Sequence, residues 1–249
     1  MPVLACLTSG LTASIALEET ARLQLPAPFP SSQRPPAGPQ RAGGAARQPK
    51  TVLVTAAAGG TGQFAVQLAK LAGCRVVATC GGDDKAALLR QLGVDRVINY
   101  RSEDVKGVLK AEYPGGIDVI YESVGGEMFD LCVDALADRG TLVVIGMMSA
   151  YSSGWQRSAH EGLAEKLLWK SASVAGFFLL KYAPLWGPHL TALCELVAQG
   201  RLRAAIDTQR FVGVESAAAA VDRLQSGASS GKVVLQVAPE LPAAAVAGL

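Results

Sequence analysis

Gly59-Gly60-Thr61-Gly62 is the first stretch of this chain whose residue types and spacing could do chemistry. Glycine carries no Cβ, so a phosphate oxygen can approach the backbone closely. A helix opening at this point would present N–H groups without intrahelical acceptors and the positive end of its dipole, a ready site for a pyrophosphate. About 20 residues past such a turn, an enzyme preferring NAD places a carboxylate on the ribose 2′-hydroxyl. The corresponding place here is Thr79-Cys80-Gly81, without an acid. Lys85 follows closely and Tyr100 closes the next apolar run; a cation and a hydroxyl suit a 2′-phosphate that an acid would repel. The pattern favours NADP(H), with Asp83 or Asp84 reaching the ribose as the alternative.

These residues need a scaffold that brings strand ends together. Thr51 to Thr55 is a β-rich run, the glycines break it, and Phe64, Ala65, Leu68 and Ala69 then recur on one helical face: strand, turn, helix. Further strands are expected over residues 75–79, 96–99, 117–121, 141–145 and 173–178, with helices over 83–92, 104–112 and 127–136 between them. This alternation predicts an α/β fold, a doubly wound parallel sheet of the Rossmann type with ligands at the carboxyl ends of its strands. Helices over 189–199 and 214–224 and a strand over 232–237 should follow. The expected organisation is a helix at 1–19, a linker at 20–50, a nucleotide-binding domain at 51–200, a helix and strand at 201–237, and a frayed tail at 238–249. The linker reading rests on composition: residues 20–50 hold seven of the chain's 13 prolines and no acid, so they cannot build a core.

Half of the 249 residues are apolar, 18% are charged, and the net charge is +2, which gives no reason to expect nucleic acid or a membrane surface as partner. No run approaches the roughly 18 apolar residues of a membrane span, and the start lacks the layout of a signal peptide, so the chain reads as intracellular. Five scattered cysteines, never in CxxC spacing, indicate reduced thiols and no metal site. His160 and His189 have no HExxH-type spacing and read as surface or interhelical residues.

The stretches TVLVTAAAGGTGQFAVQLAK (51–70), INY (98–100), YESVGGEMFD (121–130), VVIGMMSAY (143–151), KSASVAGFF (170–178) and GKVVLQV (231–237) resemble the medium-chain dehydrogenase/reductases. More narrowly they are similar to the zinc-free prostaglandin reductase branch. The resemblance implies NADPH-dependent reduction of the carbon–carbon double bond of an α,β-unsaturated ketone, with 15-keto prostaglandins as substrates. It implies that Thr61, Gly81, Lys85 and Tyr100 meet the phosphate and adenosine end. Ser123, Ile145 and Tyr151 would lie along the ribose and nicotinamide, with Phe177, Phe178 and Leu179 beside the nicotinamide and Ser229 where the family has asparagine. Tyr151 becomes the candidate donor to the ketone oxygen, where charge develops as hydride arrives. Gly81 stands where close relatives carry serine. The family has a catalytic domain ahead of the helix that opens this chain, so an impaired reductase is expected. A quinone reductase and a non-catalytic module, pairing as a homodimer through the SVAGFF strand, are the alternatives. The resemblance implies peroxisomes, although Val246-Ala247-Gly248-Leu249 lacks the basic residue of an SKL-like address.

Overall fold

The computed structural model describes residues 2–30, 48–151, 154 and 162–238. Six parallel strands form one sheet in the order β3-β2-β1-β4-β5-β6: β1 Thr51–Val54, β2 Arg75–Cys80, β3 Arg96–Asn99, β4 Ile117–Glu122, β5 Leu136–Val144 and β6 Ser173–Gly176. The order reverses beside β1, which leaves a crevice between β1 and β4 at their carboxyl ends. β1 is buried almost throughout, and helices α3 (Gly62–Leu71) and α4 (Asp83–Gln91) follow β1 and β2. Next come α5 (Val105–Glu112), capped by the Asp104 carboxylate accepting from the Lys106 and Gly107 amides, and α6 (Gly126–Asp134). The helix α7 (Leu163–Lys170), absent from the sequence expectation, leads into β6.

The N-terminal helix runs through α1 (Pro2–Ala5), a π-helical stretch Cys6–Gly10, α2 (Leu11–Ile15) and a second π-helical stretch Ala16–Thr20. It packs against α3 and against α8 (Trp186–Ala198). At this junction His189 is fully buried, its Nε2 2.9 Å from Glu18 Oε2 and its Nδ1 3.0 Å from Ser14 Oγ. The histidine is therefore interhelical rather than superficial, whereas His160 lies outside the described residues.

The structure corrects the start of the expected linker, residues 21–30. Ala21, Leu23, Leu25 and Phe29 are buried in the same core as the N-terminal helix, and the Phe29 ring lies 5.5 Å from the His189 ring. Composition misled here because proline and arginine dominate the whole segment, while its apolar residues are concentrated at the start. Residues 31–47 and the tail 239–249 lie outside the described residues.

Two buried glutamines of α3 attach the C-terminal segment. The Gln63 amide exchanges hydrogen bonds with the Ala205 backbone (2.8 and 2.6 Å), and Gln67 does the same with Arg203 (both 2.8 Å). Lys232 N then donates to Ala205 O at 2.9 Å. The expected last strand shortens to β8 (Leu235–Gln236), paired in parallel with β7 (Phe211–Val212), which the sequence reading missed; α9 (Ala217–Gln225) lies between them in the chain.

Candidate functional site

The loops after the strands share one rim, and hydrogen bonds between loops fix their relative positions. After β1, the turn from Ala56 to Thr61 enters α3. A Cβ built on Gly62 would lie 2.6 Å from Ala57 Cα and 2.7 Å from the Ala56 carbonyl oxygen, so only glycine lets the helix start this close to the strand end. Gly59 forms an isolated parallel bridge with Gly231, and Gly231 N donates to Ala58 O at 2.7 Å. Ser229, two residues before Gly231, is buried.

The β2 and β3 loops are tied by Asn99. Its Oδ1 accepts from Gly82 N (2.9 Å) and Arg101 N (3.2 Å), and its Nδ2 donates to Asp83 Oδ1 (3.0 Å). This pinning places the Tyr100 ring over Gly81: a Cβ there would sit 2.4 Å from the Tyr100 hydroxyl oxygen. The phenol therefore occupies the space of the side chain that Gly81 lacks. Lys85 Nζ donates to the Gly227 carbonyl. Burial pulls the Lys85 pKa down, and the neighbouring Arg101 charge lowers it further. Lys85, Tyr100 and Arg101 thus gather two cations and a hydroxyl around two glycines. Arg101 and Asn99 were not singled out by sequence reasoning; the sole signal was their position beside Tyr100 at the end of an apolar run.

The β4 and β5 loops converge on Glu122. This fully buried carboxylate accepts from Val124 N (2.7 Å), from Gly125 N (3.1 and 3.0 Å) and from Thr55 Oγ1 (3.2 Å), while Thr55 Oγ1 accepts from Ser123 N (2.9 Å). Burial raises the Glu122 pKa against the opposing pull of these hydrogen bonds. Ile145 N donates to Glu122 O (2.8 Å) and Met148 N to Ser123 O (3.1 Å), so Ser123 and Ile145 stand side by side at the rim. The Tyr151 hydroxyl folds back over Gly146, 3.2 Å from where a Cβ would be, and Tyr151 is 56% exposed. Phe178 is 60% exposed, but Phe177 is buried and stacks on Tyr182 with ring centroids 4.8 Å apart. The Phe177 ring belongs to the core, as the neighbouring Leu179 does in part, which leaves Phe178 as the exposed aromatic of the pair.

Among the described residues no three His, Cys, Asp or Glu side chains come close enough to hold a metal ion, and no helix is long and apolar enough to cross a membrane. All five cysteines are free thiols, four of them buried.

Residues 60–192, which run from within the glycine turn through β6 into α8, match the family model described as zinc-binding dehydrogenase. The chain belongs to this family. It is 47% identical to prostaglandin reductase-3 of Mus musculus over 94% of its own length and 58% of that protein. It is also 40% identical to a probable quinone oxidoreductase of Leishmania amazonensis, over 92% of this chain and 62% of that one. The chain therefore spans about three fifths of the curated relatives it matches. Its fold superimposes on CurA of Vibrio vulnificus in complex with NADPH with a TM-score of 0.75 at 26% identity, covering 94% of this chain and 63% of that one. The Escherichia coli quinone oxidoreductase complexed with NADPH gives a TM-score of 0.73 at 27% identity over 92% and 62%.

Proposed function

We propose that the carboxyl rim of the sheet holds NADPH and that the chain reduces the carbon–carbon double bond of α,β-unsaturated ketones. The single observation that carries the cofactor assignment is the placement of Tyr100 over Gly81 and of Arg101 beside Gly82 at the end of β2, with Lys85 close enough to feel the Arg101 charge. These groups fit a 2′-phosphate, and the close-packed Gly62 turn fits a pyrophosphate at the start of α3. When bound, the cofactor supplies the hydride.

The remaining work falls to this chain's own residues. The turn Gly59 to Gly62 binds phosphate through the backbone N–H groups from Gly60 on, the Gly59 N–H being taken by the Ala56 carbonyl, Ser229 borders it, and Ser123 and Ile145 line the ribose end. Phe178 borders the nicotinamide end. The Tyr151 hydroxyl donates to the ketone oxygen as negative charge develops there. In this chain Tyr151 and Phe178 face water, and an aqueous surround weakens such stabilisation, so turnover is expected to be slow. Relatives named prostaglandin reductase-3, (+)-pulegone reductase and 2-alkenal reductase (NADP(+)-dependent) support an enone as substrate, with 15-keto prostaglandins as the first candidates. A homodimer is part of the proposal because, among the described residues, β6 pairs only with β5 and leaves an open strand edge.

The test is NADPH oxidation by the chain with a 15-keto prostaglandin and, separately, with a simple quinone. Faster consumption with the enone supports the proposal. Faster consumption with the quinone favours the second reading, to which the quinone oxidoreductase relative points. NADPH binding with neither substrate consumed refutes the reductase assignment.

A further inference from the structure

A second lysine reaches the glycine turn from the far end of the chain. The Lys232 stem crosses Gly60, where an added Cβ would lie 3.2 Å from Lys232 Cδ and 3.2 Å from Ser9 Oγ. Lys232 Nζ donates to Ser9 Oγ at 3.1 Å. The side chain is fixed there from both sides: Gly231 N bonds Ala58 O, and the Lys232 backbone is held by Ala205 and Asp207. Ser9, from the N-terminal helix, is itself buried.

We propose that Lys232, steadied by Ser9, is a second cofactor-holding cation that serves the pyrophosphate shared by NADPH and NADH, whereas Lys85 serves the 2′-phosphate. The inference rests on the reading of the turn as a dinucleotide cradle. Its basis is charge as well as place. Lys232 is half-buried, its Nζ has a neutral hydroxyl as partner, and among the described residues no acid forms an ion pair with it. Burial lowers its pKa with no neighbouring charge acting against that shift. An ammonium kept in such surroundings costs stability, and an anion at the mouth of α3 offsets the cost. Its stem alone could cover Gly60 without a charge, as methionine could.

Binding of NADPH and of NADH to the full chain is measured by calorimetric titration, with apo melting temperatures alongside, for the parent chain, Lys232→Met, Lys232→Arg and Lys85→Met. The expected result is that Lys232→Met weakens both dinucleotides about tenfold or more without lowering the apo melting temperature, and Lys232→Arg retains most of the affinity. Lys85→Met should weaken NADPH alone. The inference is overturned if Lys232→Met binds both as the parent does, if it loses only NADPH, or if its apo form melts lower and Lys232→Arg does not rescue binding. A parent chain that binds neither dinucleotide removes the cradle reading itself, an outcome distinct from a binding parent and an equally binding variant.

Discussion

Replacing Glu122 by glutamine tests whether this buried carboxylate organises the crevice. Its two oxygens accept from Val124 N, Gly125 N and Thr55 Oγ1. A glutamine keeps one acceptor oxygen, which takes Val124, Thr55 and one arm of the Gly125 bond, but turns an N–H₂ toward the Gly125 N–H in place of the other arm. One bond is lost and two donors face each other in a dry site, which costs about 1–3 kcal/mol. For a chain of this size that lowers the melting temperature by roughly 2–12 °C. The pH dependence has a fixed sign. Burial raises the folded pKa of Glu122 above its ordinary value of 4.5, so the protonated form is the one the fold favours. Its contribution is fully present below the ordinary value and is lost as pH rises through the folded pKa. Glutamine does not titrate, so the stability gap between parent and variant is widest in acid and narrows as pH rises. Urea unfolding of both proteins across this range measures the gap. A gap that widens with pH, or no destabilisation at all, refutes the reasoning.

Three further outcomes are expected. Gly62→Ala forces a Cβ against the Ala57 Cα and the Ala56 carbonyl, so it should cost about 1–3 kcal/mol and weaken NADPH and NADH alike, read by urea unfolding and titration. Phe29→Ala should cost about 3–5 kcal/mol in urea unfolding, since this fully buried ring packs on His189; a loss below about 1 kcal/mol would show that residues 21–30 do not belong to the core. Tyr151→Phe should cut enone turnover about 100-fold with NADPH affinity unchanged, measured by steady-state kinetics and titration; a parallel loss of affinity would make Tyr151 a binding residue instead.

The sheet was legible because each β-strand of a doubly wound fold is a short apolar run bounded by glycine or polar turns, as in residues 51–54 and 96–99. Boundaries shifted where backbone irregularity intervened: β5 starts at Leu136, the last residue of the expected helix, which pairs with Ile117 across a register shift, with Arg139 at positive φ before the regular ladder begins at Thr141. The glycine turn could be read from spacing alone. The roles of Asn99, Glu122 and Thr55 in tying loop to loop could not, since the hydrogen bonds that do so span 16 to 68 residues of sequence and carry no local pattern. Lys232 and Ser9 are further apart still, 223 residues, and meet through the docking of both termini onto α3. Phe177 and Phe178 show the limit of resemblance: adjacent residues on a strand end point opposite ways, and only burial separates core from rim.

The central claim is that the carboxyl rim of the sheet selects NADPH through Lys85 and Tyr100 at the ends of β2 and β3. Thermal unfolding of the full chain with NADPH and with NADH at equal concentration tests it most directly. At about 100 times its dissociation constant NADPH should add roughly 2.7 kcal/mol to stability, with markedly less protection from NADH and the difference abolished in Lys85→Met. Equal protection by the two dinucleotides, or protection by neither, contradicts the account.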